Sequence, residues 1–196
     1  MPVRYSFYRR YISPTFPLTY NLRLLFNPLQ KTTDAEIITL DRPLRCAFGC
    51  AKCCCYQEAT ISSGGETLGS IHETCWYCIP TMKILDADGK DLYLVYPPTC
   101  CGGICINCCA EGNPCGKGCC KTSHRIYDPE DTNAGSDDPY LGMILKRPKS
   151  TLTEIFTDAV VLDVEFPKDA TPAQKGILTG LAVFINSVFY EGNDDN

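Results

Sequence analysis

Residues 171–190 read TPAQKGILTGLAVFINSVFY, and the way this stretch is buried decides the fold. Thr171 is a good helix N-cap, and Pro172 fits the first helical position because its missing N–H has no intrahelical partner there. From Gly176 to Tyr190 the run is almost wholly apolar, with Ile177, Leu178, Leu181, Phe184, Ile185, Val188 and Phe189 spread round every face. At about 1.5 Å per residue such a run is roughly 22 Å long. A bilayer core asks for about 30 Å and around 20 residues. A helix apolar all round yet too short to span is expected to be buried in protein, with membrane insertion as the alternative. Gly176 and Gly180 admit a close neighbour, which suits a helix threaded through a barrel; the same spacing also occurs in transmembrane dimers.

Upstream of this helix, predicted over about 172–190, the pattern is short strands and tight turns. Strands are expected at Ala35–Leu40, Gln57–Ile61, Thr67–His72, Met82–Leu85, Leu92–Tyr96, His124–Tyr127, Leu141–Leu145 and Thr153–Phe156. Gly64-Gly65 is a turn, and Asp86–Asp91 is a hairpin connection with an Asp-Gly signal. Val160–Phe166 alternates: Val160, Leu162, Val164 and Phe166 on one face, Asp163 and Glu165 on the other, as in a half-buried strand. Repeated short strands indicate a mainly β barrel or sandwich. Residues 100–120, rich in Cys and Gly, and the acidic stretch 129–139 read as connections.

The 196 residues suffice for one domain and carry a net charge of −5. Residues 1–33 hold Arg4, Arg9, Arg10, Arg23 and Lys31 and no acid, so the excess of acid lies from Asp34 onward. An acidic main domain argues against general nucleic-acid binding, which needs a positive surface. Segment 1–33, aromatic, basic and interrupted by prolines, remains unassigned between a targeting leader and a basic patch. Residues 192–196 form an acidic tail.

Fifteen cysteines fall into three clusters, 46–55, 75–78 and 100–120. The odd count, the adjacent thiols and the lack of a signal-peptide pattern argue for reduced, cytosol-facing cysteines. With two histidines, no Gly-x-Ser-x-Gly, no P-loop and no dinucleotide fingerprint, covalent catalysis finds no support, and no enzyme activity is expected.

An ordered series of motifs resembles the phospholipid scramblases. It comprises Leu40-Asp-Arg-Pro-Leu-Arg-Cys46, the cysteine cluster with Tyr56-Gln-Glu58, Phe156-Thr-Asp-Ala159, Val164-Glu-Phe-Pro167 with Asp169, and the terminal helix ending Phe189-Tyr-Glu191. The resemblance covers about residues 35–191 and implies a tubby-like antiparallel β-barrel around one hydrophobic C-terminal helix. That barrel begins upstream of the position of Asp34, where this chain has 33 unmatched residues, so an incomplete barrel with an open edge is an expectation. The implied activity is ATP-independent, calcium-stimulated, bidirectional movement of phospholipids between leaflets. The implied location is the cytoplasmic face of the plasma membrane, with a mitochondrial or other internal membrane as the alternative.

The resemblance also assigns chemistry to residues. The 46–55 cluster corresponds to the family's palmitoylation segment, with Cys50, Cys53, Cys54 and Cys55 as acceptors; two or more acyl chains fix a soluble domain to a bilayer. The bland alternative is small buried residues. The family's proposed calcium loop corresponds to Asp158–Asp169, giving Asp158, Asp163, Glu165 and Asp169 as candidate ligands. Its third and fifth positions are the apolar Val160 and Leu162, against the oxygen ligands an EF-type loop wants. Independently, Cys105, Cys108, Cys115 and Cys119 have spacings that could hold zinc tetrahedrally, with Cys75, Cys78 or His124 as further ligands. More acylation, or free thiols, are the alternatives for that cluster. A palmitoylated or metal-binding interaction module without lipid transport is the rival function.

Overall fold

The computed structural model describes residues 3–6, 18–22, 38–43, 56–74, 80–97, 122–130, 139–146 and 161–190. Ten strands form one antiparallel sheet. In chain order they are β1 (Val3–Ser6), β2 (Leu18–Leu22), β3 (Ile38–Arg42), β4 (Glu58–Ser63), β5 (Glu66–Glu73), β6 (Met82–Asp86), β7 (Asp91–Tyr96), β8 (Thr122–Tyr127), β9 (Gly142–Lys146) and β10 (Val161–Glu165). A helix, α1 (Pro172–Ile185), follows and continues as a π-helical turn, Asn186–Tyr190. From β3 to β10 each strand lies beside its neighbour in sequence, while β1 pairs with β10 and β2 with β3 at the two ends of the order.

Strand periodicity sets the inner face. Ile38 and Leu40, Ala59 and Ile61, Met82 and Ile84, Tyr93 and Val95, Ile144, and Leu162 with Val164 all point into one core with the helix. Helix α1 packs on β3, β4, β5 and β10, strands from opposite parts of the order, so the sheet curls round it. Ile177, Leu178, Leu181, Ala182, Phe184 and Ile185 are all buried. The buried alternative for the terminal helix is therefore the one observed. Among the described residues no helix is long and apolar enough to cross a membrane.

Close approach explains two glycines. A Cβ on Gly180 would come within 2.5 Å of Ile61 Cδ1, and one on Gly69 would come within 2.3 Å of the Leu85 carbonyl oxygen. At the helix start, Thr171 Oγ1 accepts from the Gln174 N–H while Gln174 Oε1 accepts from the Thr171 N–H, a reciprocal cap.

Most expected strands recur with ends shifted by a few residues; the expected strand at 153–156 lies outside the described residues. The Asp86–Asp91 connection is the expected hairpin. Asp86 Oδ1 accepts from the N–H groups of Asp88 and Lys90, and Gly89 takes φ 79°. The sequence assigned no element to residues 1–33, yet β1 and β2 fall there. Short edge strands in a segment broken by proline give little periodicity to read.

Candidate functional site

Antiparallel pairing sorts the connections by end. Arg42 lies opposite Leu18, Glu58 opposite His72, Met82 opposite Glu73, Tyr96 opposite Arg125, and Lys146 opposite both Thr122 and Leu162. The strand ends that segments 44–55, 75–79 and 98–121 join therefore all lie at one end of the sheet. Those segments contain all fifteen cysteines. We call this the cysteine end. The helix starts at the opposite end, where Gly176 faces Leu68 and Ile38, and finishes at the cysteine end, where Ser187 meets Arg42.

At the cysteine end the core changes character. The apolar interior gives way to a layer of buried polar side chains: Arg42, Gln57, Glu73, His124, Lys146 and Asn186, beside Ser187. Gln57 knits three elements together. Its N–H donates to Glu73 Oε2 at 2.7 Å, its carbonyl accepts from the Glu73 N–H at 2.8 Å, and its Oε1 accepts from Arg42 Nη2 at 2.7 Å and Nε at 3.2 Å. Arg42 Nη1 also donates to the Ser187 carbonyl at 3.3 Å and to Ser187 Oγ at 3.1 Å. Its guanidinium lies 5.8 Å over the Phe184 ring. The last carbonyls of a helix lack intrahelical donors and carry partial negative charge, so a buried cation is well placed there. Arg42 and Gln57 flank the cysteine segment 44–55, so the helix end and the base of that segment form one bonded unit. His124 faces the interior beside Ile126, and burial lowers its imidazole to about 3, keeping it neutral near pH 7.

A family model described as Scramblase matches residues 21–192, most of the chain. The chain belongs to the Scramblase family. Among its relatives are phospholipid scramblase 1 of Homo sapiens, 26 % identical over 93 % of this chain and 49 % of that protein, and phospholipid scramblase 2 of Bos taurus, 27 % identical over 93 % and 53 %. Phospholipid scramblase 1 of Mus musculus is 25 % identical over 90 % of this chain and 47 % of that protein. The chain spans about half the length of the curated relatives it matches. No solved structure matches it.

In this scramblase-family chain Cys50, Cys53, Cys54 and Cys55, the cysteines Cys105, Cys108, Cys115 and Cys119, and Asp158 all lie outside the described residues. Asp163 sits in β10, buried, with its backbone in register with Arg4 and Leu145. Glu165 ends that strand exposed, and Asp169 is exposed just before the helix. Leu162, the fifth position of the would-be loop, is in the core, so residues 161–165 form a strand where an EF-type loop would have to wrap an ion. Among the described residues no group of three or more His, Cys, Asp or Glu side chains comes together as a metal site.

Sequence periodicity does not reveal one outer-face constellation. Ser70 Oγ lies 3.0 Å from His72 Nε2, and His72 Nδ1 lies 3.9 Å from Glu58 Oε2, on the wall of an open groove of about 410 Å³ bounded by Asp41 and Pro43. The Glu58 contact exceeds hydrogen-bond length, so the carboxylate does not orient the imidazole as a nucleophilic triad requires. The polar layer is not legible as a unit in the sequence, although Arg42 and Gln57 both belong to its motifs.

Proposed function

We propose that the chain is a phospholipid scramblase that moves phospholipids in both directions between leaflets without ATP and with stimulation by calcium. It works on membrane phospholipids, attached to the cytoplasmic face of the plasma membrane by thioester-linked palmitate on Cys50, Cys53, Cys54 and Cys55. Membership of the Scramblase family across residues 21–192 is the observation that carries this reading. The bonded base formed by Arg42 and Gln57 supports the acylation component, since acyl chains on the segment between them would be tied to the curled sheet and the helix end. Calcium stimulation rests on the resemblance alone. The described acids do not make an EF-type loop, because residues 161–165 form a strand.

The test is the full chain reconstituted into vesicles carrying a fluorescent phospholipid, with dithionite added outside. Scrambling bleaches well beyond the outer-leaflet half, and faster with calcium. Protection of half the label with and without calcium refutes it. Palmitate labelling that hydroxylamine removes, and that is lost when Cys50, Cys53, Cys54 and Cys55 become serine, tests the anchor.

One observation favours a second reading, an acylated or metal-binding interaction module that moves no lipid. The inner face of the sheet is filled by side chains of the helix and strands, with Ile61, Ile71, Ile84 and Phe184 fully buried, which offers a headgroup no lumen among the described residues. Acylation without lipid transfer selects this reading. Elemental analysis decides whether zinc on Cys105, Cys108, Cys115 and Cys119 belongs to it.

A further inference from the structure

The last turn of the terminal helix is wound differently from the rest, and its own residues do not account for it. Helix α1 ends at Ile185, and Asn186–Tyr190 continue it as a π-helical turn. These five residues include no glycine and no proline. In π winding each hydrogen bond closes over one more residue than in the α-helix, and such turns are found chiefly as single insertions, frequently at functional sites. The Asn186 N–H is shared between the Ala182 and Val183 carbonyls, and Ser187 Oγ donates to the Phe184 carbonyl at 2.9 Å. An α-helical continuation gives that carbonyl to the Val188 N–H, so the serine hydroxyl competes for it. Arg42 Nη1 holds Ser187 in place, at 3.1 Å from its Oγ and 3.3 Å from its carbonyl oxygen. The same guanidinium is bonded on its other side, where Nη2 and Nε meet Gln57 Oε1 at 2.7 and 3.2 Å, and it lies over the fully buried Phe184 ring. A guanidinium is planar and rigid, so Gln57 and Ser187 do not shift independently while both sets of bonds hold.

We propose that residues 186–190 form a two-state latch: the Arg42 guanidinium on Ser187 holds the π winding, and its withdrawal lets the turn rewind as α-helix. Rewinding shifts Val188 by one residue position round the helix axis, roughly 100°, and so turns it relative to the core it packs against. Arg42 and Gln57 flank segment 44–55, so a displacement of either strand end there is felt at the helix terminus. The coupling runs with equal strength in the other direction, because a free-energy link between two sites is reciprocal. The π turn is the bistable element such a link requires, and Arg42 is the residue that biases it. The latch goes beyond the lipid reading and does not depend on it.

Backbone NMR and amide hydrogen exchange on the full chain test the latch. In the unaltered protein, contacts from the α protons of Phe184 and Ile185 to amides five residues on mark the π winding. Arg42→Lys keeps the charge and loses the fork, and Gln57→Ala removes the bonds on one side of it. Both should replace those contacts by ones four residues on. Ser187→Ala should do the same, and serves as the test should Arg42→Lys fail to fold. By reciprocity Ser187→Ala should also speed exchange of the Gln57 amide, which is bonded to Glu73, by about tenfold or more. Thr171→Ala, at the other end of the helix, removes the cap without touching the latch and should leave the π contacts in place. Contacts four residues on in the unaltered protein, π contacts that persist in Ser187→Ala, or equal rewinding in Thr171→Ala overturn the latch. A Gln57 amide that exchanges unchanged in Ser187→Ala, or a π turn indifferent to Gln57→Ala, overturns the coupling.

Discussion

The two ends of the sheet are built by different means. At the end where the helix begins, local chemistry closes the structure: Gly64 and Gly65 at positive φ turn β4 into β5, the Asp86 carboxylate organises the β6–β7 hairpin, and Thr171 with Gln174 caps the helix within four residues. At the cysteine end the closing contacts are long-range. Arg42 reaches Ser187, 145 residues away, and the helix finishes on a π turn held by that contact. A π turn is rare and strained relative to the α-helix and is often found at functional positions. The contrast teaches that one end can re-form from its own sequence, while the other depends on the whole sheet being in place.

Changes at the two ends should therefore differ in size. The largest loss is expected for Arg42→Ala, which removes four hydrogen bonds and leaves the Gln57 side-chain oxygen and the Ser187 carbonyl without the guanidinium; about 3–5 kcal/mol of unfolding free energy should disappear in urea titration. A loss below that of a helix cap would erase the contrast. Next is Gly180→Val, on the helix face between the ends. Its new Cβ collides with Ile61, and overpacking of this kind costs about 1–3 kcal/mol. Tolerance of valine with an unchanged midpoint would mean the helix is not clasped by β4.

The third prediction is a pH dependence at the cysteine end. His124 is held neutral when folded, with its value lowered to about 3 by burial, whereas the unfolded chain takes up the proton below the ordinary value of 6.5. The unfolded state then binds more protons, so this contribution is constant above 6.5 and erodes as pH falls toward 3. Between pH 6.5 and 5.5 it amounts to roughly 1 kcal/mol, and His124→Gln should remove that component of the slope. An identical slope in the variant would place the imidazole in water. The smallest effect belongs to the locally built end: Thr171→Ala should cost about 1 kcal/mol, read as a small shift in the urea midpoint.

Much of the fold was legible because it rests on periodicity. The alternation of Leu162, Asp163 and Val164 and the apolar run from Ile177 to Ile185 each specify an element type, although Asp163 is itself buried. The candidate site was legible only in part. Arg42 and Gln57 stood out as motif residues, but nothing local says that a charged side chain at the end of a strand points inward, since alternation marks the face and leaves its polarity open. The Ser70–His72–Glu58 contact was equally hidden, because it depends on the cross-strand register of β4 with β5.

By itself the sequence determined the element types, the C-terminal helix with its cap, the turn positions, and the family resemblance, all of which follow from short-range pattern and steric preference. Only the tertiary structure decided that the strand ends joined by the cysteine-bearing connections share one end, that the core is closed there by a polar layer, and that Arg42 holds the helix terminus. The reason is physical: antiparallel pairing converts chain order into spatial side, and register decides which distant residues meet. Neither quantity exists until the strands are assembled.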